Sequence, residues 1–266
     1  MDFWQLYAFV ALFIFTFMTI LWIASLALRN SSIVDPMWGT GLILSNWFCF
    51  LLTPDGFPAR KWLMAILVTI WGLRLSVHLA RRNWGKGEDY RYREWREQAG
   101  ARWWWYSYFK VFLIQGAVMC VLAAPFVAVH RSAMPATLTI FDLMAVPVWA
   151  TGFFFEAVGD WQLSRFLANP ANRGTLLRTG LWRYTRHPNY FGESTMWWGH
   201  YLVAVSVPSG LWAIVSPVLI TFLLLRVSGV TLLERTMKEK TPGYKEYVET
   251  TSPFVPWLPR KPSGGD

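Results

Sequence analysis

The sequence predicts an all-α, polytopic membrane protein of seven transmembrane helices, on three observations. Residues 3–28 hold not one charged side chain, and a hydrocarbon core of about 30 Å needs about 20 such residues as a helix. Hydrophobic residues make up 54% of the 266 and charged residues 15%, where a soluble domain carries about a quarter charged. Basic residues also alternate in density from one interspan segment to the next. Together these exclude disorder, a coiled coil and an ordinary water-soluble enzyme.

The first span is 3–28. Its start, Met1-Asp2, has no Lys or Arg before Arg29, and the apolar run is too long for a cleavable leader. It is expected to be retained. Further apolar segments follow at 37–52, 62–80, 111–129, 140–155, 191–207 and 211–225. Ser206-Val207-Pro208-Ser209-Gly210 reads as a tight turn joining the last two. With the amino terminus outside and the carboxy terminus cytoplasmic, segments 29–35, 81–108, 159–190 and 230–266 hold 19 of the 25 Lys and Arg. Only Arg60, Lys61 and Arg131 then lie outside, a strong positive-inside bias. The net charge of +9 is thus divided among loops, which argues against nucleic-acid binding. Residues 1–258 are expected to form one domain and 259–266 a flexible tail.

Cys49 and Cys120 both lie in apolar runs and offer neither a disulfide framework nor metal spacing. Ionisable groups in spans are costly and face a cavity or each other. This chain has Arg74, His78, Asp142, Glu156, Asp160, Glu193, His200, Arg226 and Glu234, with Asp35 at the start of the second span. Most gather at the expected cytoplasmic ends. The loops there carry Arg81-Arg82-Asn83-Trp84-Gly85-Lys86-Gly87-Glu88-Asp89-Tyr90-Arg91-Tyr92-Arg93, and Asn169-Pro170-Ala171-Asn172-Arg173-Gly174 followed by Arg178. Arg forks bind phosphate, Gly admits close backbone approach, and aromatics offer stacking faces. A phosphorylated cofactor suits that inventory, although a basic loop attracted to lipid headgroups has the same composition. Neither a GxGxxG after a strand nor a GxxxxGK[ST] is present, so any nucleotide site is neither Rossmann nor P-loop.

The most specific stretch is Gly180-Leu181-Trp182-Arg183-Tyr184-Thr185-Arg186-His187-Pro188-Asn189-Tyr190-Phe191-Gly192-Glu193. Pro188 stops a continuous helix, and donors, acceptors and a carboxylate crowd the membrane boundary. This stretch resembles the steroid 5-alpha-reductase and sterol-reductase superfamily, in its bacterial, functionally undefined branch. Asp35-Pro36-Met37-Trp38-Gly39, Trp71-Gly72-Leu73-Arg74-Leu75, Phe155-Glu156-Ala157-Val158-Gly159-Asp160 and Ser228-Gly229-Val230-Thr231-Leu232-Leu233-Glu234 extend the likeness over most of the chain.

The resemblance implies seven helices around a lipid-accessible cavity, NADPH held from the cytosolic side, and reduction of an activated C=C bond in a lipid or steroid-like enone. It implies an integral protein of the bacterial inner membrane. Asp160, Asn189 and Glu193 match family positions that hold the cofactor, with Asn83 a weaker match. Arg173, Arg178, Arg186, His187 and Tyr190 join them on physical grounds, and Glu234 lies near the place of an expected His. Steroid-specific members carry a Gln-Glu pair on the second span and a Tyr on the third. Here the nearby acid is Asp35, and the third span offers Arg74 and His78. Asp35 is therefore assigned as the donor to the substrate oxygen, since a carboxyl in dry surroundings keeps its proton, with Arg74 or His78 as second donor. The alternatives are a membrane methyltransferase using S-adenosylmethionine, which shares Arg-His-Pro-x-Tyr, and a non-enzymatic lipid-binding protein.

Overall fold

Twenty-five residues form α1 (Phe3–Ala27). Its start is a capping box: Asp2 accepts from the Gln5 amide at 2.8 Å, and the Gln5 side chain accepts from the Asp2 amide at 3.1 Å, which satisfies two of the orphan donors of a helix start. The computed structural model describes residues 1–227 and 242–260. After α1 come α2 (Val34–Leu52), α3 (Pro58–Asn83), α4 (Tyr90–Ala99) and α5 (Trp103–Ser107). A π-helical turn, Tyr108–Leu113, leads into α6 (Ile114–Leu122) and α7 (Ala124–Arg131). Then follow α8 (Ile140–Ala168), α9 (Pro188–Val205), α10 (Val215–Phe222) and α11 (Tyr244–Thr250). Among the described residues there is no strand, and one parallel bridge joins Thr185 to Ser252.

Among the described residues, four helical stretches are long and apolar enough to cross a bilayer: Phe3–Ala27, Pro58–Asn83, Tyr90–Arg131 and Ile140–Ala168. That is the architecture of an integral, multi-pass membrane protein. The other expected spans, at 37–52, 191–207 and 211–225, fall on α2, on α9 and on the shorter apolar stretch Leu211–Val227. The expected cytoplasmic loop 81–108 is largely helical. Arg, Glu and Gln are good helix formers, and Asp89 caps α4 by accepting from the Arg91 amide at 3.0 Å.

The chain divides into two compact units. The first comprises Met1–Asp142 and Val203–Ser216. In it α2 packs on α3 where Gly39 faces Gly72: a Cβ on Gly39 would strike the Gly72 carbonyl. Small residues let two backbones meet this closely in a membrane. Thr40 and Ser76 hydroxyls bond across the same seam at 3.0 Å. Between α6 and α7, Pro125 cannot donate to the Val121 carbonyl one turn earlier. Ser216 Oγ donates to that carbonyl instead, at 2.7 Å.

Arg60 and Lys61 belong to an outside segment on the sequence reading; in the structure Pro58 begins α3 and both side chains are buried. Arg60 Nε donates to both Asp142 oxygens at 2.9 and 3.1 Å, and Nη2 to Asp142 Oδ2 at 2.9 Å. Its remaining donors reach the carbonyls of Pro135 and Thr137. A cation with no solvent exposure is tolerated because every donor group finds an acceptor.

The second unit comprises Leu143–Leu202 and Pro217–Asp266. Here α8 and α9 approach at Gly152 and Gly192; a Cβ on Gly152 would lie 2.6 Å from the Gly192 carbonyl. This contact sets one turn of α8, carrying Glu156 and Asp160, beside the start of α9.

Candidate functional site

In the first unit the polar side chains form a directed hydrogen-bond chain. An indole N–H can only donate, and Trp38 Nε1 donates to Gln115 Oε1. That fixes the Gln115 amide, whose Nε2 donates to Tyr92 Oη at 3.3 Å. The Tyr92 proton is thereby sent to Asp35 Oδ1, at 2.6 Å. Arg91 Nη2 donates to the other Asp35 oxygen at 3.2 Å. Both Asp35 oxygens therefore act as acceptors, at the first turn of α2. Arg74 and His78 stand half-buried one turn apart on α3, and Asn83 is its last residue. Asn83 Oδ1 accepts from Arg82 Nε at 3.3 Å.

The loop before α4 is tied to the turn before α2. Glu88 accepts from the Ser31 amide at 2.6 Å and from Arg96 at 2.7 and 2.9 Å. Ser32 Oγ accepts from the Asp89 amide at 3.1 Å. Burial pushes the Glu88 carboxyl up, but the Arg96 and Ser31 donors outweigh it and hold it below the usual glutamate range. Asp89 is held low in the same way, burial being outweighed by its bonds to Arg91.

In the second unit Asn189, at the start of α9, donates from Nδ2 to Asp160 Oδ1 at 2.9 Å. Its Oδ1 is buried and has no hydrogen-bond partner among the described residues. His187 and Tyr190 stack, ring centroids 5.5 Å apart and planes within 5°. Glu193 follows, half-buried, on α9. Trp182 Nε1 donates to the Gly159 carbonyl at 3.1 Å, and the Leu181 amide to Gln162 Oε1 at 3.0 Å. These bonds lock the loop before α9 onto α8.

Arg186 turns inward. Its Nη1 donates to the carbonyls of Val248 and Thr251. Arg178 pairs with Glu246 at 3.1 Å and donates to the Gly243 carbonyl. Arg173 is exposed in the loop after α8. Glu234 lies outside the described residues. Asp35, Arg74, His78 and Asn83 thus belong to the first unit, and Asp160, Arg173, Arg178, Arg186, His187, Asn189, Tyr190 and Glu193 to the second.

Sequence reasoning missed Trp38, Arg91, Tyr92 and Gln115 as partners of Asp35. Gln115 stands amid the apolar run 111–129, and a screen of uncharged polar residues in spans would have found it. Tyr92 stood inside a stretch already singled out, but its pairing is non-local.

The sequence pattern of the family described as "Protein of unknown function (DUF1295)" matches residues 21–251. The chain is 28% identical over 273 residues to an uncharacterized protein of Schizosaccharomyces pombe, C594.04c, a match covering 90% of this chain and 76% of that one. No solved structure matches.

Proposed function

The chain belongs to the DUF1295 family of proteins of unknown function, and from that premise we propose that it is an NADPH-dependent membrane reductase acting on an activated C=C bond in a lipid or steroid-like enone. The observation that carries this proposal is Asn189. Its amide is oriented by Asp160, so the buried Oδ1 is an acceptor lacking a donor among the described residues. A buried acceptor without a partner costs about 1–3 kcal/mol, and a ligand amide, such as the carboxamide of nicotinamide, offers the missing N–H. The parallel rings of His187 and Tyr190 supply a flat face beside it. Exposed Arg173 carries a guanidinium fork suited to phosphate, and Glu193 completes the polar set of this unit, whereas Arg178 is already engaged by Glu246 and the Gly243 carbonyl. Arg186, engaged with the carbonyls of Val248 and Thr251, holds the loop rather than the ligand.

When bound, NADPH would supply a hydride to the electron-poor carbon of the enone and leave as NADP+, and the resulting enolate would take its proton from water to give the saturated product. The residues of the chain do the rest. Negative charge would build on the substrate oxygen, and donors aimed there would lower the barrier; Arg74 and His78, one turn apart on α3, are the residues of the first unit suited to that role. Both Asp35 oxygens accept hydrogen bonds, from Tyr92 and Arg91, so here Asp35 orients Tyr92 rather than aiming a donor at the substrate.

The test is turnover. Purified protein in lipid nanodiscs, given NADPH and a 3-oxo-Δ4 steroid or a prenyl enone, should oxidise the cofactor and release the saturated product, and Asn189→Ala should abolish both. Methyl transfer from S-adenosylmethionine with no NADPH consumption would overturn the proposal.

A further inference from the structure

The segment from Ser252 to Arg260 is a strap whose backbone is clamped to the residues preceding α9. The Arg186 amide donates to the Ser252 carbonyl at 2.9 Å, Thr185 Oγ1 to the Phe254 carbonyl at 2.8 Å, and the Trp257 amide to the Tyr184 carbonyl at 2.9 Å. The Arg260 amide closes the far end on the Thr250 carbonyl at 2.8 Å. Phe254 points inward and meets the Phe191 ring at 5.9 Å. Val255 and Trp257 point outward, and Trp257 and Leu258 are 70% and 73% exposed. A clamped backbone cannot turn these side chains away from their surroundings. The exposure is therefore built in.

We propose that this strap is a membrane-interface anchor, with Trp257 and Leu258 seated at the boundary between headgroups and acyl chains and Arg260 on a phospholipid phosphate. Three observations name lipid as the occupant. Phe254 touches Phe191, where the apolar run 191–207 begins, so the strap lies level with the start of a hydrophobic segment. Its outward residues are a Trp, a Leu and an Arg, the combination that suits an apolar body below and a charged head in the headgroup layer. A cavity of about 320 Å³ opens on the same strap between α11 and the outward side chains, lined among others by Glu249, Trp257 and Arg260; it offers both an anion and a cation to a headgroup. The proposal is independent of what NADPH does.

The test is depth measurement by electron paramagnetic resonance on the full chain in nanodiscs. A nitroxide is attached to Leu258→Cys and, separately, to Trp257→Cys. Both sites are exposed, so the fold should tolerate them, and the unsubstituted chain taken through the same labelling gives the background from Cys49 and Cys120. In phosphatidylcholine discs containing phosphatidylglycerol, the spin label should collide more often with oxygen than with a water-soluble nickel chelate. Adding Arg260→Glu should raise nickel collisions in those discs. Nickel collisions exceeding oxygen at both sites would place the strap in water and overturn the proposal. Low collision with both relaxants would show packing against protein and overturn it equally.

Discussion

Tyr92 donates to Asp35 across 2.6 Å, and the direction of that bond is dictated by Trp38 through Gln115. An indole proton that can go only one way fixes an amide, the amide fixes a hydroxyl, and the hydroxyl fixes a carboxylate. Four side chains drawn from α2, α4 and α6 thereby specify a single arrangement at the start of α2.

Tyr92→Phe deletes the hydroxyl that both Asp35 and Gln115 use. Turnover should fall sharply while NADPH affinity is retained, and stability should drop by about 1–3 kcal/mol because two partners lose a bond. Asp35→Asn should likewise lower turnover and spare binding. Steady-state rates set beside cofactor affinity check both. Loss of NADPH binding with normal turnover at saturation would refute the role given to the pair.

Arg60 and Asp142 are buried together, with side-chain exposures of 0% and 1%. Removing one partner strands the other charge, so Asp142→Leu should destabilise by about 3–5 kcal/mol. The double variant Arg60→Met with Asp142→Leu should recover most of that loss. Unfolding in detergent measures it; a single variant as stable as the parent contradicts the account.

Glu88 is held below the ordinary glutamate range by Arg96 and Ser31. A carboxyl depressed in the fold stabilises it above the ordinary range and loses that contribution as pH falls through its lowered value. Hydrogen exchange of the Ser31 and Asp89 amides, corrected for intrinsic rates, should therefore accelerate towards acid pH. Glu88→Gln should weaken that dependence and leave the tether loosened at neutral pH.

Gly192→Ala would drive a methyl into the Glu156 backbone of α8. The start of α9 must then move, taking Asn189 from Asp160. Cofactor binding should weaken by tenfold or more, about 1.4 kcal/mol, with a lower melting temperature. Unchanged affinity would separate the helix contact from the site.

Much of the helical content was legible because hydrocarbon-length apolar runs have few other solutions. The first span and the spans at 62–80, 111–129 and 140–155 reappear as helices of crossing length. The segment 81–108 reads as a cytoplasmic loop because charge suggests solvent, yet Arg and Glu also favour helix, and Tyr90–Ala99 is one. Arg60 looked like an outside loop residue, since nothing local reveals that Asp142 stands opposite it. The pairing of Asn189 with Asp160 joins two quoted motifs, whereas Asp35's partners depend on folding that brings α4 and α6 beside α2.

The most direct test of the central claim is a thermal-unfolding titration of the purified protein with NADPH and, separately, with S-adenosylmethionine. A ligand that binds only the folded state raises its melting temperature with concentration. The account predicts a shift with NADPH, lost in Asn189→Ala, and none with S-adenosylmethionine. A shift with S-adenosylmethionine alone, or an NADPH shift that Asn189→Ala leaves intact, would contradict it.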